Sequence, residues 1–206
     1  MGEVIVITSG KGGVGKTTTT ALTGAIMKTF FNEVFVVGNI GIPYTDVALD
    51  TTEKSVTVAE VSSFQLETIM DFHPNVSAIT NITPDHLDRY DHCMQNYIDA
   101  KFRITQNQTT DDAFIFWNDD PIIKQELAKH GLKAHLYPFA AVKEDGAIAY
   151  VEDHEVKITE PIAFNMEQEE LALTGQHNLY NSLAAGISAT WQVSLKKYPQ
   201  GALRLQ

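Results

Sequence analysis

Short apolar runs alternate along this chain with stretches whose apolar residues recur at helical spacing. "EVIVIT" near the N-terminus is β-branched and apolar, which predicts a buried strand, and the spacing from about Thr17 to Phe30 predicts a helix. "EVFVVG" and "SVTVAEV" read as two further strands, with "SSFQLETIM" turning into a short helix. "NVSAITNI" reads as a fourth strand. "DRYDHCMQNYIDAKFRITQ" then places Tyr90, Met94, Tyr97, Ile98, Lys101 and Ile104 near one helical face. "DAFIFW" is a fifth strand, "DPIIKQELAKHG" a helix ended by Gly131, and "KAHLYPF" a sixth strand. Such alternation predicts an α/β fold, a mostly parallel sheet with helices on both faces.

The pattern changes after Ala140. "GAIAYVEDHEVKIT" reads as two short strands joined at Glu152, Asp153 and His154, and "EELALTG" as another. Residues 140–175 are therefore expected to form a small antiparallel extension beside the main sheet. "GQHNLYNSLAAGISATW" predicts a helix with Leu179, Leu183, Ala184 and Ile187 on one side, and the tail a short helical piece and a turn at Pro199 to Gly201. The 206 residues suffice for one domain with a full core.

Composition narrows the function. A net charge of −11 argues against a nucleic-acid footprint. The one cysteine, Cys93, allows no disulfide within the chain, fits a reducing cytoplasm, and is expected to be a packing residue. No apolar run approaches the roughly 20 residues needed to span a bilayer, so no membrane partner is expected.

The chemistry is concentrated after the first strand, in "SGKGGVGKTTTT". Gly10 to Thr17 fits G-x-x-x-x-G-K-[ST] between a strand and a helix, the context a phosphate-binding loop demands. Glycines let several backbone N–H groups point at one phosphate chain, and the helix N-terminus adds partial positive charge. Gly10, Lys11, Gly12, Gly13, Val14, Gly15, Lys16, Thr17 and Thr18 are expected to line the nucleotide. Lys16 should reach the β- and γ-phosphates of ATP, and the Thr17 hydroxyl should ligate Mg²⁺.

The second lysine of the loop, Lys11, makes "IVITSGKGGVGKTT" resemble the MinD/ParA ATPases, where such a lysine reaches the nucleotide across an ATP-dependent dimer. The aspartate-rich segment that family carries after its second strand is missing here, since "EVFVVGNIGIP" has asparagine and glycine in its place, and so is its later D-x-x-G switch segment.

Most of the remaining chain resembles a different family. "VGNIGIP" (Val37 to Pro43), "EVSSFQLE" (Glu60 to Glu67), "SAITNITPDHLDRY" (Ser77 to Tyr90), "YIDAKFRI" (Tyr97 to Ile104) and "GQHNLYN" (Gly175 to Asn181) occur in the order seen in the central ATP-binding domain of the Mur ligases, with the wording of the members that add D-glutamate. The resemblance implies ATP-dependent amide formation in peptidoglycan precursor synthesis: a muramoyl-peptide carboxylate is phosphorylated, and an amine attacks the acyl phosphate. Carried over residue by residue, it implies that Glu60 holds Mg²⁺ with Thr17, and that His86 and Lys101 serve a second metal, Lys101 as a carbamate. A free amine is a poor metal ligand, whereas a carbamate offers the oxygens Mg²⁺ prefers. Lys16, Lys101 and His86 are thus expected to serve the chemistry. Asn181 is expected to meet adenine, Asn178, beside His177 one turn earlier on the same helix, to line the nucleotide, Asn39 to meet the acyl region of the substrate, and Arg204 the nucleotide. Asp85 and Asp88 flank His86 and read either as supports behind the metal ligand or as solvated carboxylates.

The resemblance also sets expectations about extent. Residues 1–206 read as a single ATP-binding domain whose first 20 residues carry the MinD-like loop, which implies a composite sequence. The family's N-terminal uridine-nucleotide domain and C-terminal amino-acid domain are expected to be absent, leaving a monomer that binds or slowly hydrolyses ATP without completing ligation. Two alternatives stand beside this one: a dimerising switch ATPase, and a fold scaffold without function.

Overall fold

A computed structural model describes residues 2–10 and 15–195. Lys11, Gly12, Gly13, Val14 and Arg204, and the tail turn at Pro199 to Gly201, lie outside the described residues.

Nine strands form one continuous sheet. They are β1 (Glu3–Thr8), β2 (Val34–Gly38), β3 (Val56–Glu60), β4 (Val76–Ile79), β5 (Ala113–Trp117), β6 (His135–Val142), β7 (Ala149–Glu152), β8 (Glu155–Ile158) and β9 (Phe164–Glu167). Their spatial order is β2-β3-β1-β4-β5-β6-β7-β8-β9, parallel through β7 and antiparallel across β8 and β9. The expected extension thus continues the main sheet. The link from β6 to β7 is short for a parallel pair, and its register shifts between Phe139 and Val142.

The helices are α1 (Gly15–Phe30), α2 (Tyr44–Val47), α3 (Ser63–Leu66), α4 (Met94–Phe102), α5 (Pro121–Glu126) and α6 (Gln176–Leu195). Side-chain alternation divides the core between the two faces of the sheet. Ile5, Ile7, Val58 and Ile115 pack with Ile26 and Met27 of α1 and with Leu183, Ala184, Ile187 and Trp191 of α6. Val6, Ile79, Phe114 and Phe116 face the other way, against Leu66, Tyr97, Ile98, Phe102 and Ile123. Among the described residues, no helix is long and apolar enough to cross a membrane.

Four sequence expectations change. The helical pattern over 88–106 is broken: a 3₁₀ turn at Leu87–Tyr90 ends where Asp91 and His92 adopt positive φ of 53° and 55°, and α4 begins only at Met94. Two successive left-handed residues cannot continue a right-handed helix. The helix expected to run to Gly131 ends at Glu126 and continues as turns, with Gly131 at a φ of 55°. "EELALTG" is not a strand. β9 lies earlier, in "FNME", where Met166 pairs with Val156, and residues 168–170 form a 3₁₀ turn. Cys93 is exposed at the N-cap of α4, because the break at Asp91 and His92 turns it away from the core.

The β7–β8 turn falls on Asp153 and His154, both at positive φ (54° and 66°). This is the pattern of a two-residue hairpin turn whose twist matches the flanking strands.

Candidate functional site

The C-terminal ends of β1, β3 and β4 converge on the first turn of α1. Lys16 is buried there, at 8% exposure, and Thr17 Oγ1 donates to Glu60 Oε2 at 2.8 Å. Glu60 is itself 4% exposed at the end of β3. Two oxygen donors thus sit side by side under the helix N-terminus, a hard-ligand pair suited to Mg²⁺. Beneath Gly15, the Ser9 and Thr80 hydroxyls are buried without a hydrogen-bond partner, and a Cβ on Gly15 would stand 3.2 Å from the first and 3.4 Å from the second. A glycine over orphaned hydroxyls, at the start of a 16-residue helix, fits a phosphate chain.

Lys101 comes from α4 on the opposite face of the sheet. It is 2% exposed, donates to the Ser9 carbonyl and to Thr8 Oγ1 (3.4 Å), and lies 4.7 Å from the centre of the Tyr97 ring. Burial first, and then the nearby charge of Lys16, lowers its pKa to about 7, while Asp85 acts in the opposite sense. The same burial, reinforced by Asp85, raises the Tyr97 phenol. Lys16, Lys101 and Asp85 therefore share one electrostatic neighbourhood, and two lysine side chains meet there in a protein of net charge −11.

His86 is placed differently. It adopts a left-handed conformation (φ 48°), its side chain is 69% exposed, and Asp85 Oδ2 lies 3.6 Å from its Nε2. Among the described residues it joins no three-ligand cluster with Glu60. Asp88 is exposed in the 3₁₀ turn that follows. Asp85, read from the sequence either as a support behind the metal ligand or as solvated, is an acid whose charge acts on Lys101.

Asn39 follows Gly38, whose φ of 103° and contact with the Glu60 carbonyl leave no room for a Cβ. That close approach lets the Asn39 amide donate to Glu60 O at 3.1 Å, while its side chain donates to Ser62 Oγ. Asn181 is 3% exposed and accepts from Thr19 Oγ1 at 3.2 Å, joining α6 to α1. Asn178, one turn earlier and half-buried, donates to the Thr174 carbonyl at 2.8 Å. Thr174 lines a recess of about 310 Å³ floored by Leu171, Leu173 and Leu179.

Sequence reasoning missed Asp120. Its Oδ1 accepts from Ile122 and Ile123, capping α5, and its Oδ2 accepts from Ile82 N at 2.8 Å, fixing the segment that leads to Asp85. The signal was present: Asp before Pro at the first helical position is an N-cap pattern. A second group of metal-ligand types, Asp99, Glu126 and His130, is already engaged. Lys129 lies 2.6 Å from Glu126, and Gln95 donates to both Asp99 and Glu126. It ties α4 to α5.

Comparison with known proteins follows the same lines. Residues 11–189 match the Mur ligase middle domain. The chain is 75% identical over 180 residues to the UDP-N-acetylmuramoylalanine–D-glutamate ligase of Bacteroides thetaiotaomicron, covering 86% of this chain and 40% of that protein. To the enzyme of the same name from Lachnoclostridium phytofermentans it is 44% identical over 197 residues, covering 94% and 42%. It spans about two fifths of the length of these curated relatives. Among solved structures, it resembles a UDP-N-acetylmuramoyl-L-alanyl-D-glutamate–2,6-diaminopimelate ligase with a TM-score of 0.69 at 18% identity, over 98% of this chain and 45% of that one. The MurF ligase of Thermotoga maritima in complex with ADP gives 0.60 at 18% identity, over 89% and 44%.

Proposed function

The chain belongs to the Mur ligase middle-domain family, and on that premise we propose that it is the ATP- and Mg²⁺-binding core of a D-glutamate-adding ligase of peptidoglycan precursor synthesis. The observation that carries this is the Thr17–Glu60 pair beside buried Lys16 at the N-terminus of α1. ATP supplies the phosphoryl group that activates the muramoyl-peptide carboxylate. Loop residues 10–18 hold its phosphates, Lys16 neutralises charge that builds on them, and Thr17 with Glu60 holds Mg²⁺.

Lys101 serves a second metal position after conversion to a carbamate. A buried amine with a pKa of about 7 is substantially neutral at neutral pH, the form that attacks carbon dioxide. His86 completes that position from its exposed turn. Asp85 orients the pair, Asn39 meets the acyl end of the substrate, and Asn178 addresses the base with Asn181 bracing it from the α1 side, the recess at Thr174 open beside them. Arg204 is assigned to the nucleotide by resemblance alone.

We assign residues 1–206 to one ATP-binding domain of a monomeric cytoplasmic protein, which binds or slowly hydrolyses ATP. The doubled-lysine loop keeps a second reading open, a dimerising switch ATPase, and ATP-dependent dimerisation lost in Lys11→Ala would support it.

Calorimetric titration of Mg·ATP into the protein, beside Lys16→Ala, tests the main reading. Binding in the micromolar range that is lost in the variant is the expected result. A folded protein that takes up no nucleotide would sink it.

A further inference from the structure

The loop's first glycine is held by a residue to which no role has been given. Gly10 N–H lies 2.7 Å from the backbone oxygen of Asn81 and 2.7 Å from its Oδ1, so one donor is shared between two acceptors of a single residue. The contact is close on every side. A Cβ on Gly10 would collide with the amide nitrogen and hydroxyl of Thr83 and come within 2.9 Å of Asn81 Oδ1. Residues 81–83 are themselves fixed from behind, where buried Asp120 accepts from Ile82 N at 2.8 Å. Two residues beyond Thr83 comes Asp85, whose charge acts on Lys101.

From this geometry we infer that Asn81 is a positioning residue for nucleotide binding. It ties the start of the phosphate loop to the strap that carries Asp85 and His86. The Asn81 carbonyl alone would hold Gly10 by a single acceptor. The carboxamide adds a second acceptor whose direction is set by its own side chain, and this orients the Gly10 peptide as the chain enters the loop. Through Asp120, the strap is anchored to α5, so the loop and the acidic arm keep one relative position. The inference rests on the nucleotide reading of the loop.

The test compares wild type with Asn81→Ala and Asn81→Asp by two measurements: amide hydrogen exchange at Gly10 by NMR, and calorimetric affinity for Mg·ADP. In Asn81→Ala, Gly10 exchange is expected to quicken about tenfold while Ile5 to Ile7 in β1 stay protected, and Mg·ADP affinity to fall by about the same factor, the loss of one oriented hydrogen bond. Asn81→Asp keeps an acceptor at Oδ1 and is expected to keep the protection of Gly10. Unchanged Gly10 exchange or unchanged affinity in the alanine variant overturns the inference, as does a loss of protection spread evenly through β1. Wild-type protein that binds no Mg·ADP overturns the nucleotide reading and the positioning role with it. Should Asn81→Ala not fold, Asn81→Ser, too short to reach Gly10, carries the same comparison.

Discussion

Thr17 Oγ1 donates to Glu60 Oε2 at 2.8 Å, across 43 residues of sequence and between two neighbouring strands' ends. The hydroxyl belongs to the first turn of α1 and the carboxylate to the last residue of β3. Their closeness follows from β1 and β3 being parallel neighbours in register, Ile7 opposite Glu60. Both chain ends therefore leave the sheet at the same level, as open parallel sheets require of a ligand site.

This pair predicts a metal-dependent defect. Glu60→Gln keeps the size of the side chain and removes its charge. Nucleotide affinity without Mg²⁺ should be unchanged or slightly improved, because a negative charge near the phosphates is gone. The gain on adding Mg²⁺ should shrink by roughly tenfold, the scale of a lost charged contact. Titration of ADP with and without Mg²⁺ checks it, and an undiminished Mg²⁺ effect would assign the metal elsewhere.

Lys101 predicts a pH dependence of stability. In the fold its pKa is lowered to about 7 from 10.5, mainly by burial. Between these values the unfolded chain holds a proton that the folded chain has released, so the stability it contributes rises with pH across that window. Below the folded pKa the full cost of burying the charge is felt. Lys101→Met has no such group. Urea unfolding of both proteins at about pH 6 and about pH 9 should show wild type gaining on the variant as pH rises. Parallel profiles would show that Lys101 is not desolvated.

Asp120 predicts a stability loss at a residue remote from the loop. One carboxylate caps α5 and holds Ile82 N, with only 3% exposure. Asp120→Ala removes the cap and orphans a buried N–H, and should cost about 2–4 kcal/mol. Asp120→Asn, which keeps both acceptor directions in part, should cost less. Chemical denaturation of the two variants gives the comparison.

The two asparagines of α6 should separate. Asn181 is buried against Thr19, so Asn181→Ala leaves that hydroxyl unpaired and should destabilise by about 1–3 kcal/mol. Asn178 is only half-buried, and Asn178→Ala should leave the melting temperature within a degree or two while weakening ATP binding. Equal thermal effects from the two changes would contradict this division.

Local chemistry was legible where it is written locally. α1 and the six parallel strands of the first part show in apolar runs, because burial on both faces leaves no polar interruption. Strand order was not legible, since β1 pairs with strands far away in the chain. The break before α4 escaped because Asp91 and His92 differ from helical residues only in a backbone angle. For the last strand, "FNME" and "EELALTG" carry similar alternation, and pairing of Met166 with Val156 decides between them. Motif resemblance named Glu60, Lys101 and Asn181. Whether such residues face solvent or core depends on packing, which is why the burial of Asn181 and the exposure of His86 came only with the fold.

The position of β1 has a consequence for assembly on the ribosome. β1 is bracketed by β3 and β4 and bonded to nothing nearer in the chain, and Gly10 waits for Asn81. Among the described residues, the helix α1 packs against most extensively is α6, at residues 176–195. During synthesis β1 therefore has no strand partner until β3 is made, Gly10 lacks its acceptors until Asn81 is made, and the side of α1 that faces α6 stays uncovered until α6 follows. Within these residues, segments synthesised earlier are completed by segments synthesised later, so a product truncated before Asn81 would lack the acceptors that fix Gly10 even though it contains Gly10 itself.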